Sequence, residues 1–269
     1  MIKLSPNTRF SHNIARGSIQ QRKKLTEELN TKVFQRMLQL YEKKDSYGID
    51  AIKNNYNSLL PERKKIQITA LPKKEYTDYS GSVVVDENRD NVLSGYSIEI
   101  PANKKKKLSI SDLSNFMHES THILDYLLNP KYIANYRLMC EKNIYEKKYF
   151  DIYEKYFYNT EDMQNNNKDK MLKLAEEKTR EALRRVPYSE KIIFLNYIKY
   201  SLEMEYHAFK QDVFYAKILH KLGKPVDKEC LEDHNAFMAF PEKIKLVNKL
   251  IREEIENLRS KISNLKIEA

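Results

Sequence analysis

Residues 118–122 read His-Glu-Ser-Thr-His, an H-E-x-x-H, and no other stretch restricts this chain as tightly. Side chains four apart share one face of a helix, about 40° from each other, so two imidazoles at that spacing can grip one ion. The motif therefore requires a helix. On it His118 and His122 are candidate metal ligands. Their Nε2 atoms are expected within about 3–4 Å of each other, the separation that two zinc bonds of about 2.1 Å impose. Glu119 projects from the flank of the same face, where it can take a proton from metal-bound water as a general base.

The flanking residues supply the helix. Ser109 or Ser111 can cap its start, and Ser109-Ile-Ser-Asp112 fits the S-x-x-[DE] capping box. Leu113, Phe116, Met117, Leu124, Leu127 and Leu128 recur at helical spacing and leave the two histidines on a separate face. Asn129-Pro130 ends the helix, because a residue before proline is pushed out of the α region. Asp125 lies about 20° from His118 on this helix; it either orients a histidine by accepting its other N–H or is a surface acid. The bland alternative for the whole motif is a chance match on a surface helix.

Composition narrows the class around that helix. A chain of 269 residues can bury a sizeable core as one large domain or two small ones. Only 5 Gly and 8 Pro favour long helices over a turn-rich β fold. The net charge of +10 raises affinity for polyanions, yet the basic residues are scattered among acids and form no aromatic-basic nucleic-acid motif. Lys104 to Lys107 read as a solvated loop. Cys140 and Cys230 lie far apart without a C-x-x-C, so free thiols are expected rather than a disulfide framework. There is no apolar leader and no run of about 18 apolar residues, which reads as soluble and cytoplasmic by default.

Along the chain, residues 1–24 form a basic arm without acids, and helices are expected over Gln20–Lys43 and Ile49–Leu60. Alternation in Ile66–Ala70, Ser82–Val85 and Tyr96–Pro101 predicts three short strands, with Pro101 at an edge or a strand end. Beyond Pro130 the chain reads as helical: an aromatic-rich stretch from Tyr132 to Tyr158, a loop at Asn159–Lys168, and helices over Asp169–Arg185 and Ser189–Leu222. A short helix is expected at Asp227–Phe240, and Pro241 opens a final amphipathic helix.

A catalytic zinc site needs three protein ligands and an open position, so a third ligand must come from elsewhere. The candidate segment is Leu202-Glu-Met-Glu-Tyr-His-Ala-Phe209. Leu195, Ile198, Phe209 and Val213 fall within about 40° of Leu202 on a helix, and define its inward stripe. Glu205 lies about 60° from Leu202, at the border of that stripe, whereas Glu203 and His207 point further out. A carboxylate there is costly without a compensating partner, and Zn²⁺ would be one. The alternatives are that Glu205 pairs with a Lys or Arg, or that Glu203, His207 or Asp125 is the ligand.

An H-E-x-x-H after a short β-region, followed by a Glu in a later helix, resembles the thermolysin-like gluzincin zinc metallopeptidases. The resemblance covers roughly residues 66–129 and 189–222 and is carried by His118-Glu119-Ser120-Thr121-His122 and, more weakly, by Glu205-Tyr-His-Ala208. The gap from His122 to Glu205 is long for that family. The resemblance implies that His118, His122 and Glu205 bind Zn²⁺ and that Glu119 deprotonates a zinc-bound water. It also implies that the strand Tyr96–Ile100 pairs with an extended peptide. Tyr206 and His207 are near in sequence, but their directions argue against either as an oxyanion donor.

The expected molecule is α+β and mostly helical, zincin-like, with a short β-sheet followed by the H-E-x-x-H helix and a helical C-terminal part. Residues 1–60 form an N-terminal basic arm and helices, and 61–269 a metallopeptidase domain with a helical insertion at about 131–188. Its expected partners are a peptide or protein substrate, without specific nucleic acid or membrane. The other readings are a non-catalytic structural or interaction protein of the same fold and a basic polyanion-binding protein.

Overall fold

The computed structural model describes nine residues between 24 and 38, the strands at 66–70, 82–87 and 93–100 as backbone, and residues 110–144, 151–158, 168–184, 186–226, 231 and 239–267. The arm before residue 24, the helix expected at Ile49–Leu60, the Lys104–Lys107 run, the cysteine side chains and most of the helix expected at Asp227–Phe240 lie outside the described residues.

The strands are β1 (Ile66–Ala70), β2 (Ser82–Glu87) and β3 (Leu93–Ile100), in the order β1-β3-β2. β1 runs parallel to β3, with Ile68 beside Ile98, and β2 antiparallel, with Val83 opposite Ile98. Both edges of β3 are thus taken. The peptide pairing implied for Tyr96–Ile100 is corrected on that ground, since a strand pairs a substrate only along a free edge. Pro101 follows the last residue of β3, at a strand end.

The helices are α1 (Ile110–Leu128), α2 (Pro130–Glu141), a π-helix (Tyr153–Tyr158), α3 (Lys168–Leu183), α4 (Tyr188–Lys221) and α5 (Phe240–Ile267). Gly223 closes α4 at φ 68°, with Lys224 N donating to Leu219 O (3.0 Å) and Gly223 N to His220 O (2.9 Å). That pair of bonds is a Schellman motif, which glycine reaches without Cβ strain.

The α+β, zincin-like class expected from the sequence is corrected here. The part described with its side chains is 90% helical and holds no strand, so a short β-sheet is no part of the core it defines. The reason is length. Helices of 34 and 28 residues carry apolar stripes of their own and bury them on other helices.

Two compact units divide the chain: residues 1–129 with 211–232, and residues 130–210 with 233–269. α4 runs unbroken through the boundary. In the first unit Phe34, Leu38, Met117, Leu124, Val213, Tyr215, Ala216 and Leu219 are buried, and α1 lies against β2 and β3. In the second, Leu195, Ile198 and Leu202 of α4 join Phe157, Ala175, Leu183, Phe240 and Val247 in one core. Among the described residues, no helix is long and apolar enough to cross a membrane.

Candidate metal centre

α1 begins directly after Ser109 and ends at Leu128, where Asn129 N donates to Asp125 O (2.9 Å) and Pro130 opens α2. Proline suits that first helical position because its missing N–H would have no partner there. Met117 and Leu124, seven apart, are buried at 1% exposure each and hold the helix inward. Their anchoring sets the turn that carries the motif.

The two histidines converge. His118 Nε2 and His122 Nε2 are 3.2 Å apart, and the rings meet edge to face at 87° with centroids 4.8 Å apart. Glu119 and His122 are buried, His118 half-buried, and Ser120 and Thr121 are fully buried.

α4 contributes a residue that sequence reasoning missed. Asp212 Oδ2 accepts a hydrogen bond from His118 Nδ1 at 2.7 Å. An Nδ1–H held this way fixes the tautomer and ring plane, and turns the Nε2 lone pair toward His122. The orienting role considered for Asp125 belongs, at His118 Nδ1, to Asp212. A signal was present: Asp212 lies about 20° from Glu205 around the helix, so the argument that singles out one carboxylate applies to the other.

Glu205 stands two turns before Asp212 on the same helix, about 10.5 Å along its axis. Among the described residues, one group of His, Cys, Asp and Glu side chains is placed to hold a metal ion. It is His118, His122 and Glu205, whose donor atoms all lie within 4.8 Å of one another. Two imidazole nitrogens and one carboxylate oxygen make a donor set that suits a catalytic zinc, and a spacing of 3.2 Å between the nitrogens suits two bonds of about 2.1 Å.

No protein-family model matches the chain, nor does any curated protein or solved structure compared with it. The chemistry is read from the residues themselves.

The competing ligand candidates are placed differently. Glu203 accepts a hydrogen bond from the Tyr132 hydroxyl of α2 (3.2 Å) and pairs with Lys199 (3.7 Å). His207 is half-buried and Asp125 is half-buried on α1. Tyr206 packs on Phe240, ring centroids 6.2 Å apart, beneath the Lys210 ammonium.

The second unit also holds a buried phenol. Tyr153 is buried in the π-helix with its ring 5.2 Å from that of Tyr197. Burial pushes its pKa well above the ordinary value, and the Tyr197 phenol and the Glu205 carboxylate push it further in that order. Tyr153 therefore stays protonated.

Proposed function

We propose that the protein is a zinc-dependent hydrolase of peptide bonds. The observation that carries this reading is the convergence of His118, His122 and Glu205 within 4.8 Å, with Glu119 on the flank of the same helix face. Zinc, when bound, polarises a peptide carbonyl and makes water more acidic.

His118, His122 and Glu205 hold the ion, and Asp212 keeps the His118 ring in register through Nδ1. Glu119 takes the proton from the attacking water and delivers it to the departing amine nitrogen. A carboxylate can do both because it is a base when ionised and an acid once it has gained that proton.

The test is metal analysis together with Glu119→Gln. Wild type is expected to retain about one zinc per chain and to cleave an unfolded protein such as casein. The variant should keep the zinc and the fold and lose cleavage by about a thousandfold, because an amide is no base. Wild type that binds no zinc, or a variant that cleaves as fast as wild type, rules the reading out.

A further inference from the structure

We propose that Asn30 is a positioning residue for the metal centre, acting through Thr121 on the rotation of α1. The inference rests on the metal-site reading above.

The described residues between 24 and 38 are helical, and Asn30, Phe34 and Leu38, spaced four apart, are its buried stripe. Asn30 Nδ2 donates to Thr121 Oγ1 at 2.9 Å, and Thr121 Oγ1 donates to Met117 O at 2.9 Å. Both side chains are fully buried, at 0% exposure. One turn further on, Phe34 lies over Tyr215, ring centroids 4.4 Å apart and planes 30° from parallel. Tyr215 follows Asp212 by three residues on α4. One segment thus touches α1 beside the histidines and α4 beside the aspartate that holds His118.

The two contacts do different work. Apolar ring contact fixes distance but tolerates rotation, whereas a buried hydrogen bond between two side chains has a direction. Thr121 lies about 80° around α1 from the line that bisects His118 and His122, so its bond resists roll about the helix axis. A roll of about 10° moves groups at a radius of about 6 Å by about 1 Å. Displacement of that size costs on the order of a hundredfold in a reaction that depends on alignment. Roll would carry the two histidines together, leaving their mutual spacing intact while opening His118 to Asp212.

The experiment follows the His118 Nδ1–H by nitrogen-edited NMR in metal-free protein, with cooperative melting as the check on folding. Thr121→Val keeps the side-chain shape and loses the hydroxyl; Thr121→Ser keeps the hydroxyl; Asn30→Leu removes the donor. Wild type and Thr121→Ser are expected to share a protected Nδ1–H. In Thr121→Val and Asn30→Leu it should exchange at least about tenfold faster. The double variant should be no worse than the weaker single, because both remove one interaction. Protection unchanged in folded Thr121→Val, or losses that add, would overturn the assignment. Should Asn30→Leu not fold, the Val and Ser variants at 121 decide it. Zinc titration of wild type separately judges the metal reading, since the imidazole proton reports on Asn30 with no metal present.

Discussion

Glu203 and Glu205 stand two residues apart on α4, about 200° around its axis, and that angle gives them different chemistry. Glu205 belongs to the group that includes both histidines, while Glu203 takes the Tyr132 hydroxyl and Lys199. Glu205→Ala is expected to weaken zinc binding by at least about a hundredfold, since it removes one of three ligands. Glu203→Ala should leave zinc affinity near wild type and cost about 1 kcal/mol of stability through the lost Tyr132 bond. Competition against a chelator of known affinity measures both, and equal affinities would move the third ligand elsewhere. Asp212→Asn belongs to the same series. It keeps the shape but replaces a charged acceptor, so it should weaken zinc by about 10- to 100-fold without touching a ligand. Wild-type affinity in that variant would mean that the His118 ring is set by other contacts.

At the scale of elements, α5 meets the π-helix through one lysine. Lys243 is fully buried in the first turn of α5, and its ammonium donates to Phe157 O at 2.6 Å. A carbonyl near a helix C-terminus has no partner within the helix, which is what the ammonium supplies. Burial pulls the Lys243 pKa from 10.5 down to about 8. Below that pH the lysine is charged in both states and its penalty is constant. Between about 8 and 10.5 the unfolded chain binds more protons than the folded one, so this contribution to stability rises with pH. Wild type should gain about 1.5 kcal/mol relative to Lys243→Met between pH 8 and pH 9.5 in denaturant titrations. A difference that stays flat over that window would mean that the ammonium is solvated. Elements of this kind were only partly legible in the sequence. The limits of α1 and α4 could be read because proline, a serine cap and a left-handed glycine act locally. The π-helix could not, since its wider turn has no apolar period distinct from that of an α-helix. The class was misjudged because strand alternation is as visible in three short strands as helical periodicity is in long helices. Neither pattern says which element supplies the core. His118 and His122 were legible from spacing alone. Asp212 needed the same face argument as Glu205, applied one step further along the helix.

For the molecule as a whole, a zinc ion held by His118, His122 and Glu205 would join α1 to α4, which come from distant parts of the chain. The unfolded chain cannot gather those three groups, so metal affinity is also folding free energy. At free zinc about a hundred times the dissociation constant, the folded state gains roughly 2.7 kcal/mol. For a chain of 269 residues that corresponds to a rise in Tm of about 5–10 °C. The rise should vanish with a chelator and in His118→Ala, and should persist in Glu119→Gln, which keeps every ligand. The two units allow a further distinction. If melting resolves into two transitions, the zinc-dependent shift belongs to the one in which α1 unfolds, and that transition can be assigned by its sensitivity to Met117→Ala. A saturating concentration of zinc that moves neither transition in wild type would mean that the three groups do not bind zinc in the folded protein. An equal shift in His118→Ala would place the metal on other residues.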